Sequence, residues 1–250
     1  DEYQVDVNNN IYTNYMVELN LRLGLKALET VRADAVLYKE LNERIGLDGL
    51  DKLLSSRADQ IYLPQADPAT GLLPQFDGYF NLKFLDLTKY KNAPRVAEIM
   101  KEYNFDMLRQ YQAAKQADVV QLLYLRGDLF PEHMQRENYT YYEERTLHDS
   151  SLSKAIHSVL ASDLNMPQEA YAMFQSAAGT DFGPEPDSCD EGIHSANMGG
   201  IWQDVVMGFG GARIWRGKLR FAPHLPESWQ SLRYRLHWQG RDLHITVTKN

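Results

Sequence analysis

The hydrophobic pattern of this chain changes period once, at Gly210-Gly211, and that change limits what can fold on either side of it. Before the glycines, apolar residues recur at helical spacing in one segment after another. Met16, Leu19, Leu23, Leu25 and Leu28 form a stripe from Tyr15 onward, and Val36, Leu37, Leu41 and Ile45 form a second over 35–47. A third segment covers 50–62 and stops before Pro64. Further helices are predicted over 94–103, with Pro94 suited to a first turn, over 117–124, from Ser153, over 167–173, and from His194 through Val206. After the glycines, 219–221, 232–238 and 244–248 read as strands, with Gln239-Gly240-Arg241-Asp242 as the turn between the last two. The expectation is a mainly α chain, helical over 1–214, ending in a small antiparallel β region over 215–250. Between the third and fourth helices lies a long loop, 63–92, rich in Gly, Pro and Asp; loops of that length in a compact domain are more often functional than passive.

Composition narrows the partners. Lys and Arg number 26 against 34 Asp and Glu, a net charge of −8 over 250 residues, which argues against nucleic acid or an anionic membrane as the main partner. A local anion site remains open, because backbone amides bind phosphate without net positive charge. With Cys189 alone no internal disulfide forms, which fits a reducing cytoplasm. No apolar run is long enough for a membrane span and no signal peptide is present. A start without Met inside a polar loop points to a fragment of a longer protein. The 15 tyrosines suit core and rim packing better than a sugar platform.

Three clusters carry possible chemistry. The chain opens on Asp1-Glu2-Tyr3, followed by Asn8-Asn9-Asn10. A carboxylate in such a loop is usually a solvated surface group, and less often an acid–base catalyst. The second cluster is Glu143-Glu144-Arg145-Thr146-Leu147-His148-Asp149-Ser150-Ser151-Leu152-Ser153, at a helix start. Its serines are most simply N-caps, though free amides and the helix dipole there also suit an anion. The third is Asp190-Glu191-Gly192-Ile193-His194, at another helix start. Two such starts could form a phosphate cradle if they face each other. A Ser–His–Asp triad from Ser150, His157 and Asp149 can be drawn, without a nucleophile-elbow motif to support it. Metal ligation by His194 with Cys189 or Asp190 has no recognised spacing. Asn138-Tyr139-Thr140 matches the glycosylation pattern, which is too common to carry weight.

In order along the chain, Glu2-Tyr3 with Asn8-Asn9-Asn10 and Tyr12-Thr13-Asn14, then Lys115-Gln116-Ala117-Asp118, then Thr146 to Ser153, then Gly192-Ile193-His194, resemble the signature blocks of glycoside hydrolase family 65. This is the family of maltose, kojibiose and trehalose phosphorylases and their hydrolase relatives. The resemblance implies the second half of an (α/α)6 barrel and part of a small C-terminal sheet domain. The first half of the barrel, with a Trp-Asp motif of the donor subsite, would lie outside this chain, so the fragment alone is expected to be inactive and Glu2 to be poorly held. The resemblance makes Glu2 the general acid, Lys115 and Gln116 the pair that binds donor-glucose hydroxyls, and Ser150, Ser151 and His194 the phosphate site. The implied reaction is inverting phosphorolysis of an α-glucosyl disaccharide to β-glucose 1-phosphate. Inorganic phosphate is the co-substrate, with no cofactor or metal, and the full-length protein would be a cytoplasmic enzyme and a candidate homodimer. The alternative is an inverting hydrolase of the same family, with Asp149, Glu143 or Glu191 as its second carboxylate. A non-catalytic helical carbohydrate-binding protein is a third reading. The stretch from Leu73 to Tyr79 is a candidate contributor to the acceptor subsite.

Overall fold

The computed structural model of the chain describes residues 1–91, 97–116, 118–182 and 192–249. The first helix, α1 (Ile11–Arg32), begins where the Asn10 side chain accepts the backbone N–H of Thr13 at 3.0 Å. Asp34 caps α2 (Ala35–Ile45) through the N–H groups of Val36 and Leu37, and Gly46 closes it at φ 67°. Next come α3 (Leu50–Gln60), the single turns α4 (Thr88–Lys91) and α5 (Phe105–Leu108), then α6 (Asp118–Arg126) and α7 (Glu132–Glu144). The last three are α8 (Ser153–Asp163), α9 (Pro167–Phe182) and α10 (Ser195–Gln203), which runs on into a π-helical turn, Asp204–Phe209.

These helices form two layers. In the first, α1 packs on α6, α6 on α8, and α8 on α10 with its π turn; α3, α7 and α9 pack behind them. Gly200 of α10 stands against Ala155, and Gly208 of the π turn against Val159 and Ser162, so α8 and α10 run in the same direction. A Cβ at Gly200 would lie only 2.8 Å from that of Ala155, so this close approach requires glycine. At the other side of the layer, the α1 cap Asn10 donates to Asp118, the first residue of α6, at 2.7 Å. The N-termini of the first-layer helices therefore gather at one end. The core between the layers is built from Ile11, Leu73, Tyr79, Tyr139, Tyr142, Leu160 and Phe209, all buried.

The chain ends in two hairpins. Strands β1 (Ala212–Trp215) and β2 (Lys218–Phe221) pair antiparallel, as do β3 (Ser231–Trp238) and β4 (Arg241–Thr248). In the second hairpin Gln239 and Gly240 take φ 48° and 76°, the two-residue turn that matches strand twist. Leu232 joins the helical core, with Tyr234 and Val247 packed beside it. Gly211 makes the junction at φ 64°, where a Cβ would overlap the Ala222 carbonyl.

Several elements differ from the sequence expectations. The predicted 94–103 helix is only a 3-10 turn at Glu98–Lys101, and Pro94 lies outside the described residues, as does Ala117. Helix α7 and strand β1 were not anticipated. The buried face of α7 is Asn138, Tyr139 and Tyr142, with no aliphatic stripe to reveal it. Asn138 is fully buried, which removes it as a glycosylation acceptor. Leu73, Phe76 and Tyr79 are core residues, so those side chains do not line an acceptor subsite. Tyr15, Tyr79, Tyr124, Tyr139 and Tyr142 are likewise buried, as the packing reading expects.

Candidate active site

The opening loop is fastened on both sides of Glu2. The Tyr3 hydroxyl donates to Asp149 Oδ2 at 2.6 Å, and Asp149 Oδ1 accepts the backbone N–H of Ala97 at 3.0 Å. Burial, with Asp149 beside it, pushes the Tyr3 hydroxyl far above the usual phenol range, so it stays a donor. Gln4 donates to the carbonyls of Leu108 and Tyr111 at 3.1 and 2.8 Å. Asp1 accepts the N–H groups of Tyr3 and Lys115, both at 3.1 Å. The expectation of a poorly held Glu2 is corrected for the backbone that carries it, since Tyr3 and Gln4 after it are buried; its own side chain is 62% exposed.

Two short backbone bonds bring the second block of polar residues alongside. Ala114 N–H donates to Arg145 O, and Leu147 N–H donates to Ala114 O, each at 2.8 Å. Lys115-Gln116 thus lies beside 146–153. Lys115 Nζ donates to Glu2 Oε2 at 2.7 Å. The Gln116 Oε1 atom is buried and has no hydrogen-bond partner among the described residues.

At the start of α8 the serines do not cap. The N-cap is Leu152 and no side chain bonds there; Ser150 Oγ accepts the Leu152 N–H at 3.3 Å. His148 sits in the left-handed region at φ 58°, strain of a kind that concentrates at functional sites. That turn aims its ring so that Nδ1 lies 2.9 Å from Ser153 Oγ and Nε2 lies 3.4 Å from Glu143 Oε1. Glu143 also accepts from Lys91 Nζ at 2.8 Å. Burial works to raise the Glu143 carboxyl, but the His148 hydrogen bond and Lys91 together hold it down at about 2. Burial lowers His148, against the pull of Glu143.

The first turns of α1, α6 and α8 enclose a cavity of about 250 Å³, lined by Tyr12, Gln116, Asp118, Gln121, Leu152, Ser153, Ile156 and His157. His157 is fully buried, neither ring nitrogen has a hydrogen-bond partner among the described residues, and burial pushes it well down, so it is a neutral imidazole. Its ring meets that of His148 edge-on at 4.5 Å. A larger cavity, about 470 Å³, opens beside β1 and β2 among Gly127, Asp163 and Trp215, and holds none of the clustered residues.

His194 stands at the N-cap of α10, on the end of the layer where α8 also starts. Its Nδ1 is 2.9 Å from Asp181 Oδ1, and its backbone N–H donates to Asp181 Oδ2 at 3.2 Å. The structure thus draws Glu2, Lys115, Gln116 and the 146–153 segment together. Of the predicted site residues Gln116 lines the cavity; Glu2, Lys115, Ser150, Ser151 and His194 share that end of the layer but do not. The triad of Ser150, His157 and Asp149 does not assemble: Asp149 serves Tyr3 and Ala97, and His157 has no hydrogen-bond partner among the described residues. Cys189, Asp190 and Glu191 lie outside the described residues. Sequence reasoning placed Tyr12, Asp118 and Ser153 in its blocks without a role for them, drew His157 only into a triad, and missed Gln121 and the cavity they line. Polar residues at i and i+3 or i+4 in the first turns of apolar helices, Asp118 with Gln121 and Ser153 with His157, were the available signal.

The model for the glycosyl hydrolase family 65 central catalytic domain matches residues 1–203, and that for the family's C-terminal domain matches 212–250. The kojibiose phosphorylase of Halothermothrix orenii is 41% identical over 99% of this chain and 32% of its own length. The alpha,alpha-trehalose phosphorylase of Thermoanaerobacter brockii is 33% identical over 100% of the chain and 32% of its own length. A solved structure from human microbiome, also bearing a kojibiose phosphorylase name, superimposes with a TM-score of 0.82 at 28% identity, covering 100% of this chain and 36% of that one. The chain therefore spans about a third of the length of the curated relatives it matches. With both domain models matched in order along nearly all of its residues, the chain belongs to glycosyl hydrolase family 65.

Proposed function

We propose that the full-length protein cleaves an α-glucosyl disaccharide by inverting phosphorolysis, releasing β-glucose 1-phosphate. The carrying observation is the convergence of Glu2, Lys115, Gln116 and the 146–153 segment where the first-layer helices begin. In this reading the parallel first layer, with α3, α7 and α9 behind it, is half of an (α/α)6 barrel. Glu2 protonates the glycosidic oxygen as the bond breaks through an oxocarbenium-like state. Lys115 and Gln116 hold glucosyl hydroxyls; a hydroxyl that accepts from Lys115 Nζ competes with Glu2 for that ammonium. Phosphate attacks the anomeric carbon from the opposite face, held by the start of α8 at Ser150 and Ser151 and by His194, whose Nδ1 is fixed by Asp181 so that Nε2 points away from it.

The competing hydrolase reading needs a carboxylate free to activate water. Glu143 is occupied by Lys91 and His148, and at about 2 it is a weak base. Asp149 is occupied by Tyr3 and Ala97. Both observations favour phosphate as the nucleophile. The test is cleavage of kojibiose and trehalose by the full-length protein with and without phosphate. Strict phosphate dependence is expected, with loss of roughly 10³-fold or more in kcat for Glu2→Gln. Equal rates without phosphate would establish hydrolysis instead. The 250-residue chain alone is expected to show no turnover.

A further inference from the structure

We infer that Ser153 is an acceptor-only hydroxyl that reads one hydroxyl group of the bound glucosyl unit, and that Lys91, Glu143 and His148 are the positioning residues that make it so. The inference rests on the proposed glucosyl-transfer reading and adds a specificity residue to it. Glu143 accepts from Lys91 at 2.8 Å and faces His148 Nε2 at 3.4 Å. A carboxylate opposite Nε2 places the ring proton of a neutral imidazole on Nε2. His148 Nδ1 is then a lone pair, and Ser153 Oγ, 2.9 Å away, is the donor of that bond. A hydroxyl has one proton. With that proton committed to His148, Ser153 has only oxygen lone pairs to offer.

The neighbouring cavity wall adds acceptors and donors. Gln116 Oε1 is buried without a hydrogen-bond partner among the described residues, and Asp118 contributes a carboxylate that accepts from Asn10. The amide N–H groups of Gln116 and Gln121 and the Tyr12 hydroxyl can donate, so the wall suits a ligand whose groups do both. A sugar hydroxyl donates one bond and accepts others; a phosphate dianion, with a single proton to donate and a double negative charge, faces repulsion from Asp118 and the Ser153 lone pairs. The cavity lined by Ser153 thus selects a neutral polyol and keeps the anion outside it, toward Ser150, Ser151 and His194. His148 needs its left-handed backbone to reach Ser153 in this way. The serine that the sequence offers as a helix cap is instead turned into a reader.

The experiment uses the full-length enzyme and a series of disaccharides deoxygenated at one position at a time on the transferred glucose. The wild type should lose activity on each analogue whose missing hydroxyl is bound. In Ser153→Ala, kcat/KM for the intact disaccharide should fall roughly 10- to 100-fold. The penalty for one deoxy position should disappear, the others should persist, and KM for phosphate should stay within about twofold. His148→Phe should copy this profile. His148→Asn should partly restore it, because its Oδ1 can take the place of Nδ1 and Asn tolerates the left-handed backbone. A tenfold rise in KM for phosphate with an intact deoxy profile would make Ser153 an anion donor and overturn the inference. Unchanged penalties at every position would overturn it too. Cleavage by water alone would defeat the phosphorolysis reading, yet the deoxy profile would still decide the role of Ser153.

Discussion

Buried polar groups behave in opposite ways in two neighbouring regions of this molecule. In α7, Asn138 is fully buried and fully employed. It accepts the Leu73 N–H at 2.8 Å and donates to Gly71 O at 3.0 Å and Met134 O at 2.8 Å, stitching the 63–91 loop to the helix. Along the seam of α8 and α10, His157 and Asp204 are just as deeply buried, and neither the two His157 nitrogens nor the two Asp204 oxygens have a hydrogen-bond partner among the described residues. Leaving such a group unpaired costs about 1–3 kcal/mol each, so a fold keeps it only where packing or function demands it. Asn138 ties the loop to α7, whereas six of the ten unsatisfied side-chain atoms among the described residues, in His157, Ser162, Asn197 and Asp204, lie along the seam of α8 and α10.

Asp204 is the strongest way to break that contrast. It opens the π-helical turn, and burial pushes its carboxyl up to about 8, with nearby Ser158 pulling slightly the other way. The Ser158 proton is committed to Ala170 O at 2.9 Å, so it is not available to an Asp204 carboxylate. An unfolded Asp releases its proton near pH 4. Between about pH 4 and pH 8 the folded chain therefore holds a proton that the unfolded chain has lost, and stability falls as pH rises through that window. The expected contribution is on the order of 3–4 kcal/mol between pH 5 and pH 8. Denaturant unfolding of the full-length wild type and Asp204→Asn over that range checks it. The variant should lose this part of the slope and be the more stable of the two at pH 8. Parallel pH curves would mean that Asp204 is charged and paired in the fold.

The next effect tests the satisfied side. Asn138→Ala removes three hydrogen bonds and leaves the Leu73 N–H and the Gly71 carbonyl without them. The cost should be about 3 kcal/mol, read as a lower denaturant midpoint at unchanged pH. A cost below about 1 kcal/mol would place Asn138 among the idle polar groups and dissolve the contrast.

The same two regions show what the sequence could reveal. Helix α8 was legible because Ile156, Val159 and Leu160 keep helical spacing, and the β hairpin because Gln239-Gly240 is flanked by alternation. Helix α7 was not, since its buried face is an amide and two phenols whose burial depends on the loop they support. The candidate site shows a similar division. Its blocks could be recognised in order along the chain, but their convergence could not. Tyr3 and Asp149 are 146 residues apart, and Lys115 reaches Glu2 across 113. The serines at α8 illustrate the limit: local rules assign them to capping, and a left-handed His148 reassigns Ser153 to the cavity.

The smallest effect is the one that separates stability from function most cleanly. Replacing His157 by Phe removes two unpaired buried nitrogens while keeping a ring beside Tyr139 and His148, whose centroids lie 5.6 and 4.5 Å away. The cavity next to it leaves room for the slightly larger ring. Removing an unsatisfied group in favour of an apolar one of similar shape is neutral or stabilising. The melting temperature of the full-length protein should therefore stay constant or rise by a few degrees, an effect of about 1 kcal/mol. Disaccharide turnover should fall, because the cavity loses a polar wall. A lower melting temperature with unchanged turnover would show that His157 is a structural group with an unrecognised partner, and the unsatisfied seam would then be part of the scaffold, like Asn138.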